Sequence, residues 1–242
     1  MLLSLLHLCD SLFPTGAFAH SDGLEWATTA GRVRDVAGLR DWLEVCLEEG
    51  FGRSDGPAVM MAWSAAHAGD WEALLTIDEE VLALRPSATI RAATRSMGLR
   101  LIKTWHAVHP DARLERLLAS GRDTPRGHPA GGVGGAGTNG QAVVAPTFPV
   151  AFAVVCTCAG IERRDALAGF AYARLAATVS AAMRVMALGQ TDAHELLGRM
   201  LARVPSVIDA IIARNAPPES FAPALDVAQM SQQYVHSRLF RS

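Results

Sequence analysis

The sequence predicts an all-α fold: a single globular helical domain of about ten helices. Two observations carry this. Period-two alternation rich in Val, Ile and Thr is almost absent, with only Gln141 to Val144 tempting a strand. Apolar residues instead recur three and four apart through most of the chain, between residues suited to capping helices.

Leu2 to Leu8 reads as a short first helix, followed by SLFPTGAFAHSDGLEWA, residues 11–27. Pro14, Gly16 and Gly23 break up this stretch, while Phe13, Phe18, Leu24 and Trp26 would pin it to a core. Ser21 is placed to cap a helix that carries Glu25. Leu39, Leu43 and Leu47 define a helix from Val36 to Glu49, capped by Asp35 and ended by Gly50 and Gly52. Pro57 to Ala68 is the next helix. Asp70 caps Trp71 to Leu84, which stops before Pro86.

Ser87 opens a longer helix to about His106, and a short one spans Ala112 to Ala119. Residues 121–141 hold eight glycines and read as a loop. Helical patterning returns from about Pro149 to Gly160 and from Arg164 to Leu188. A further helix capped by Thr191 or Asp192 ends near Asn215. These elements divide the chain into an all-helical domain, residues 1–216, and a tail, residues 217–242.

Composition narrows the function. The chain has 242 residues, half of them hydrophobic, and a net charge of −2. It can bury a full core, and it lacks the basic excess of a nucleic-acid-binding protein. Four cysteines without a secretory leader pattern predict reduced, buried thiols and a cytoplasmic setting. The uncharged run 142–161 is long enough to cross a bilayer, but Pro146 and Pro149 shorten its helix to one expected inside a helical core.

Motifs for chemistry are scarce. The glycine run lacks P-loop spacing and a lysine, and no strand precedes it as a dinucleotide fingerprint would need. His106 and His109 lie three apart without an obvious third metal ligand. Asp78, Glu79 and Glu80 read as a solvated helix face. No cofactor is expected, and no catalytic or metal residue stands out.

The tail gives the positive signal. Phe221, Leu225, Val227, Met230, Tyr234, Leu239 and Phe240 are too many apolar residues to leave in water. Such a tail packs on its own core or orders on a partner. Arg238 beside Leu239 and Phe240 suits an interface anchor, and both apolar residues are expected to be buried there.

Three segments together resemble the UreF family of urease accessory proteins. The first is the opening turn, through Pro14, Gly16, Phe18, Ser21, Gly23, Leu24 and Glu25. The second is Leu188, Gly189, Gln190 and Thr191, and the third is Arg238, Leu239, Phe240 and Ser242. They occur in family order and span the chain.

The resemblance implies an all-α, dimerising, cytoplasmic protein with no enzymatic activity of its own. It implies binding to a UreD/UreH-type accessory protein and recruitment of the UreG-type GTPase to the apo-urease subunits. GTP hydrolysis would then be coupled to nickel insertion. In relatives the C-terminal segment becomes ordered against UreD, so the tail is the expected partner-binding segment, with Gly189, Gln190 and Thr191 facing a partner or the dimer.

Relatives usually carry a His-Glu pair and a Tyr before Arg-Leu-Phe, where this chain has Gln232, Gln233 and His236; Tyr234 is the stand-in aromatic. For Glu25, capping, dimer contact and partner contact all stay open. The competing readings are a small helical enzyme, and a nickel carrier using His106 and His109.

Overall fold

An eleven-residue helix, α8 (Phe148–Cys158), is buried from Phe148 through Cys156 and forms the centre of the fold. The computed structural model describes residues 1–16, 19–120, 145–236 and 238–240. The expected glycine loop and the tempting strand at 141–144 lie outside the described residues, as does Phe18.

Helices α4 (Gly56–Ala68) and α6 (Ala88–Val108) pack against α8. The long α9 (Arg163–Val185) packs on α4, α8, α10 (Gln190–Arg214) and the two N-terminal helices, α1 (Leu2–Cys9) and α2 (Leu24–Thr29). Phe148, Phe152 and Phe170 meet with ring centroids 5.3–6.1 Å apart and join α8 to α9. Around this centre lie α3 (Val36–Val45), α5 (Trp71–Ala83), α7 (Ala112–Ser120) and α11 (Pro223–Ser231). No strand occurs among the described residues. Core residues from Leu8 to Phe240 form one cluster that includes both sides of the glycine-rich stretch.

Three caps are where the sequence puts them. Asp35 accepts from the Gly38 N–H at 2.8 Å, Asp70 from Ala73 at 3.0 Å, and Ser87 from Ile90 at 3.4 Å. Neither Thr191 nor Asp192 caps α10, which begins at Gln190 behind Gly189 with no side-chain cap.

Two other expectations change. Gly50 and Gly52 do not end the third helix; a π-helical segment, Cys46–Asp55, carries the chain directly into α4. Gly52, and Gly56 beyond it, serve close packing instead of termination. A Cβ on Gly52 would lie 3.2 Å from Val207 of α10, and one on Gly56 would lie 2.5 Å from Ile211. Asp78 is not on a solvated face. It is 7% exposed, pairs with Arg95 at 3.2 Å and accepts from the Thr147 N–H at 2.6 Å, which fixes the entry to α8. Its neighbours Glu79 and Glu80 are exposed.

The apolar run around residue 150 is therefore core. Among the described residues α9 alone is long and apolar enough to cross a membrane, yet 61% of its most apolar stretch is buried against its neighbours. Its small residues account for that packing, since they let adjacent helices approach.

Candidate partner-binding site

The broken opening stretch folds into an anchored turn. Phe13 is buried and its ring meets those of His7 and Trp105, at 5.3 and 6.2 Å, while Pro14 is exposed. Gly16 adopts φ +80°, and Asp22 and Gly23 follow at +50° and +91°. Asp22 pays for its left-handed backbone with an ion pair to Arg174 of α9. Ser21 is not the residue at the helix start, which is Gly23; its hydroxyl accepts from the Glu25 N–H at 3.4 Å.

Gly23 is held to glycine for two reasons. Its backbone is left-handed, and a Cβ there would stand 2.8 Å from the Gln229 nitrogen and 2.9 Å from the Ala228 carbonyl carbon. The backbone of the C-terminal tail runs directly over it.

Two residues further on, Glu25 grips the tail. Its side chain is 4% exposed and accepts from Gln232 Nε2 at 2.5 Å, from the Leu239 N–H at 2.6 Å and from the Phe240 N–H at 3.3 Å. Gln232, 1% exposed, uses its other amide atom to accept from the Trp26 N–H at 3.0 Å. A buried carboxylate is costly unless hydrogen-bonded, and charge-assisted bonds of this kind are the strong class. Glu25 thus holds the tail within its own chain.

Further contacts continue the attachment. The Glu219 N–H donates to the Arg53 carbonyl at 2.9 Å, and their side chains pair at 2.8 Å. Ser87 donates to the Gln229 carbonyl at 3.4 Å. Leu225 and Ala228 of α11 are buried. Phe240, 3% exposed, lies under the Arg184 guanidinium at 4.5 Å.

The tail's other face is open. Phe221 is 81% exposed, Tyr234 76%, Leu239 60% and Met230 39%, and Arg238 is also exposed. The Leu239 N–H enters the Glu25 grip while its side chain stands in solvent, whereas Phe240 is the one of the pair buried within the chain. Gly189, Gln190 and Thr191 are exposed at the turn after α9. That turn leaves from the end of α9 on which Phe240 rests, so the second and third family-like segments meet one helix end.

Other candidate chemistry does not assemble. His106 Nδ1 accepts from the Asp111 N–H at 3.3 Å, and the His109 ring packs on Trp105 at 4.6 Å. Among the described residues no group of three His, Cys, Asp or Glu side chains is placed to hold a metal. The cysteines are free; Cys156 alone is buried, as the sequence predicts for all four, while Cys9, Cys46 and Cys158 are half-buried, and that partial burial still pushes their thiols up to about 12.

Arg184, Asp22 and Arg174 were absent from the residues singled out in the sequence. Each acts through a partner remote in the chain, and no local pattern marks such a pair. Gln232 stood out only as a departure from family usage.

Comparison with known proteins settles the family. The UreF family model matches residues 33–201. The urease accessory protein UreF of Methylibium petroleiphilum is 31% identical over 245 residues, covering 100% of this chain and 94% of the relative. UreF of Azoarcus sp. is 32% identical over 242 residues, covering 100% and 95%. UreF of Rhodopseudomonas palustris strain BisA53 is 32% identical over 231 residues, covering 95% and 88%.

The chain belongs to the UreF family. Its role is accordingly that of a non-enzymatic accessory protein in the nickel maturation of urease. The family model's match stops short of Glu25 and of the tail, whereas the similarity to whole UreF proteins extends over both.

Proposed function

We propose that the outward face of the latched tail, formed by Phe221, Met230, Tyr234, Arg238 and Leu239, is the docking surface for a UreD/UreH-type accessory protein. Residues 217–242 act as the partner-binding segment of the helical domain 1–216. The exposed turn at Gly189, Gln190 and Thr191 supplies a second contact, toward the dimer partner or the UreG-type GTPase. Acting in the cytoplasm as a homodimer, the chain joins these proteins on the apo-urease subunits while GTP hydrolysis drives nickel insertion.

One observation carries this reading: large apolar side chains stand in solvent on a segment whose opposite face is clamped by a buried carboxylate. Apolar anchors held in place before binding lose little entropy on association. Co-purification with a UreD-type protein, with and without residues 231–242, is the test. Loss of the partner on deletion is expected, and full retention would contradict the assignment.

A further inference from the structure

Beside the docking face the surface opens into a cavity of about 110 Å³. Ser220 and Ala222 line it, so the exposed Phe221 between them stands at its rim; Gln229, next to Met230, lines it from the other end of α11. The proposed docking face therefore adjoins the cavity at both ends of that helix. Five of the lining residues are charged, and four of them are matched inside the fold. Arg85 meets Asp55 at 2.5 Å, and Arg174 pairs with Asp22. Asp226 is left over.

Asp226 is half-buried on α11, and its carboxylate has neither an ion pair nor a hydrogen bond among the described residues. The cavity thus carries one uncompensated negative charge. That charge works against the tail's own seat, because burial without a counter-charge disfavours the ionised form and raises the carboxyl above its ordinary 3.8. An asparagine would fill nearly the same space without this cost. A residue that weakens the element carrying it is expected where binding, not stability, sets the choice.

We propose that Asp226 receives a basic side chain of the UreD-type partner, a lysine ammonium or an arginine guanidinium, at the mouth of this cavity, resting on the reading of the tail face as that partner's docking surface. The cation supplies the charge the site lacks. Ser54 and Ser220 line the same cavity and offer hydroxyl acceptors around it. Arg85 and Arg174 do not compete, since each is engaged by its own carboxylate. The tail stays latched throughout, and the ionic contact sits at the edge of the apolar anchors, as polar rims do around interface cores.

The test pairs two readouts on the full-length chain: calorimetric affinity for a UreD-type protein, and hydrogen exchange of the α11 amides as a measure of the tail's own seat. Asp226→Asn should bind the partner about tenfold more weakly while α11 exchanges more slowly, opposite signs that a purely structural role does not produce. Glu72→Gln removes an exposed carboxylate at the far end of α5 from Arg85 and should stay within about twofold of the parent affinity. The Tyr234→Ala, Leu239→Ala double variant reports on the docking face separately. Undiminished affinity of Asp226→Asn overturns the cation site; if the double variant then loses the partner, the docking face stands without it, and if it does not, both fall. Weaker affinity together with faster α11 exchange makes Asp226 a structural residue and overturns the cation site as well.

Discussion

Glu25 accepts a hydrogen bond from the backbone N–H of Leu239 at 2.6 Å, across 214 positions of sequence. This contact joins the two ends of the chain on the surface of α9. It also answers what the broken opening stretch is for. The turn at Asp22 and Gly23 makes room for the tail's backbone, and the carboxylate that follows holds it there.

Replacing Glu25 by Ala should release the tail. Removing the acceptor leaves the Gln232 amide and two backbone N–H groups without a partner, at about 1–3 kcal/mol each if they stayed buried. Undocking lets water satisfy them, so the loss is limited to the free energy of tail docking. Hydrogen exchange should show lost protection at 225–240 and retained protection in α8 and α9. Continued protection of the Leu239 amide would contradict the grip.

The two apolar residues of the C-terminal segment should behave differently. Phe240→Ala removes a buried ring under Arg184 and should cost about 3 kcal/mol of tail docking. Leu239→Ala alters an exposed side chain and should change stability by no more than about 0.5 kcal/mol. Urea denaturation with hydrogen exchange separates the two.

Asp226 makes tail docking pH-dependent. Burial raises its carboxyl above the ordinary 3.8 in the docked tail. A raised value means the docked state binds the proton more tightly than the free tail. This contribution is therefore full below 3.8 and lost as pH rises through the docked value. Asp226→Asn should strengthen docking at pH 7 and flatten the dependence above pH 3.8, as followed by exchange of the α11 amides. An unchanged pH profile would count against it.

Asp78 and Glu79 provide a paired test of the core. Asp78→Ala strips a buried partner from Arg95 and from the Thr147 N–H, and should cost about 3–5 kcal/mol. Glu79→Ala, at an exposed position, should leave the melting temperature nearly unchanged. Equal effects of the two substitutions would return Asp78 to a solvated face.

The helices and three of their caps were legible in the sequence because capping and amphipathic spacing are local. Asp35, Asp70 and Ser87 each bond a backbone N–H three residues on. Gly52 misled because a glycine needed for contact with α10 has the same local signature as one that stops a helix. Asp78 misled because its partners are Arg95 and the distant Thr147. The candidate site was visible as an apolar tail and a broken turn with an unassigned Glu25. That the two meet, and which tail side chains face outward, depends on a contact between the chain's ends that no periodicity encodes.

The most direct measurement is the affinity of the full-length chain for a UreD-type protein before and after Tyr234→Ala and Leu239→Ala together, by calorimetry, with the melting temperature taken in parallel. Both side chains are exposed, so the fold should melt unchanged. The account predicts at least about a tenfold loss of affinity at constant melting temperature. Undiminished affinity would contradict it.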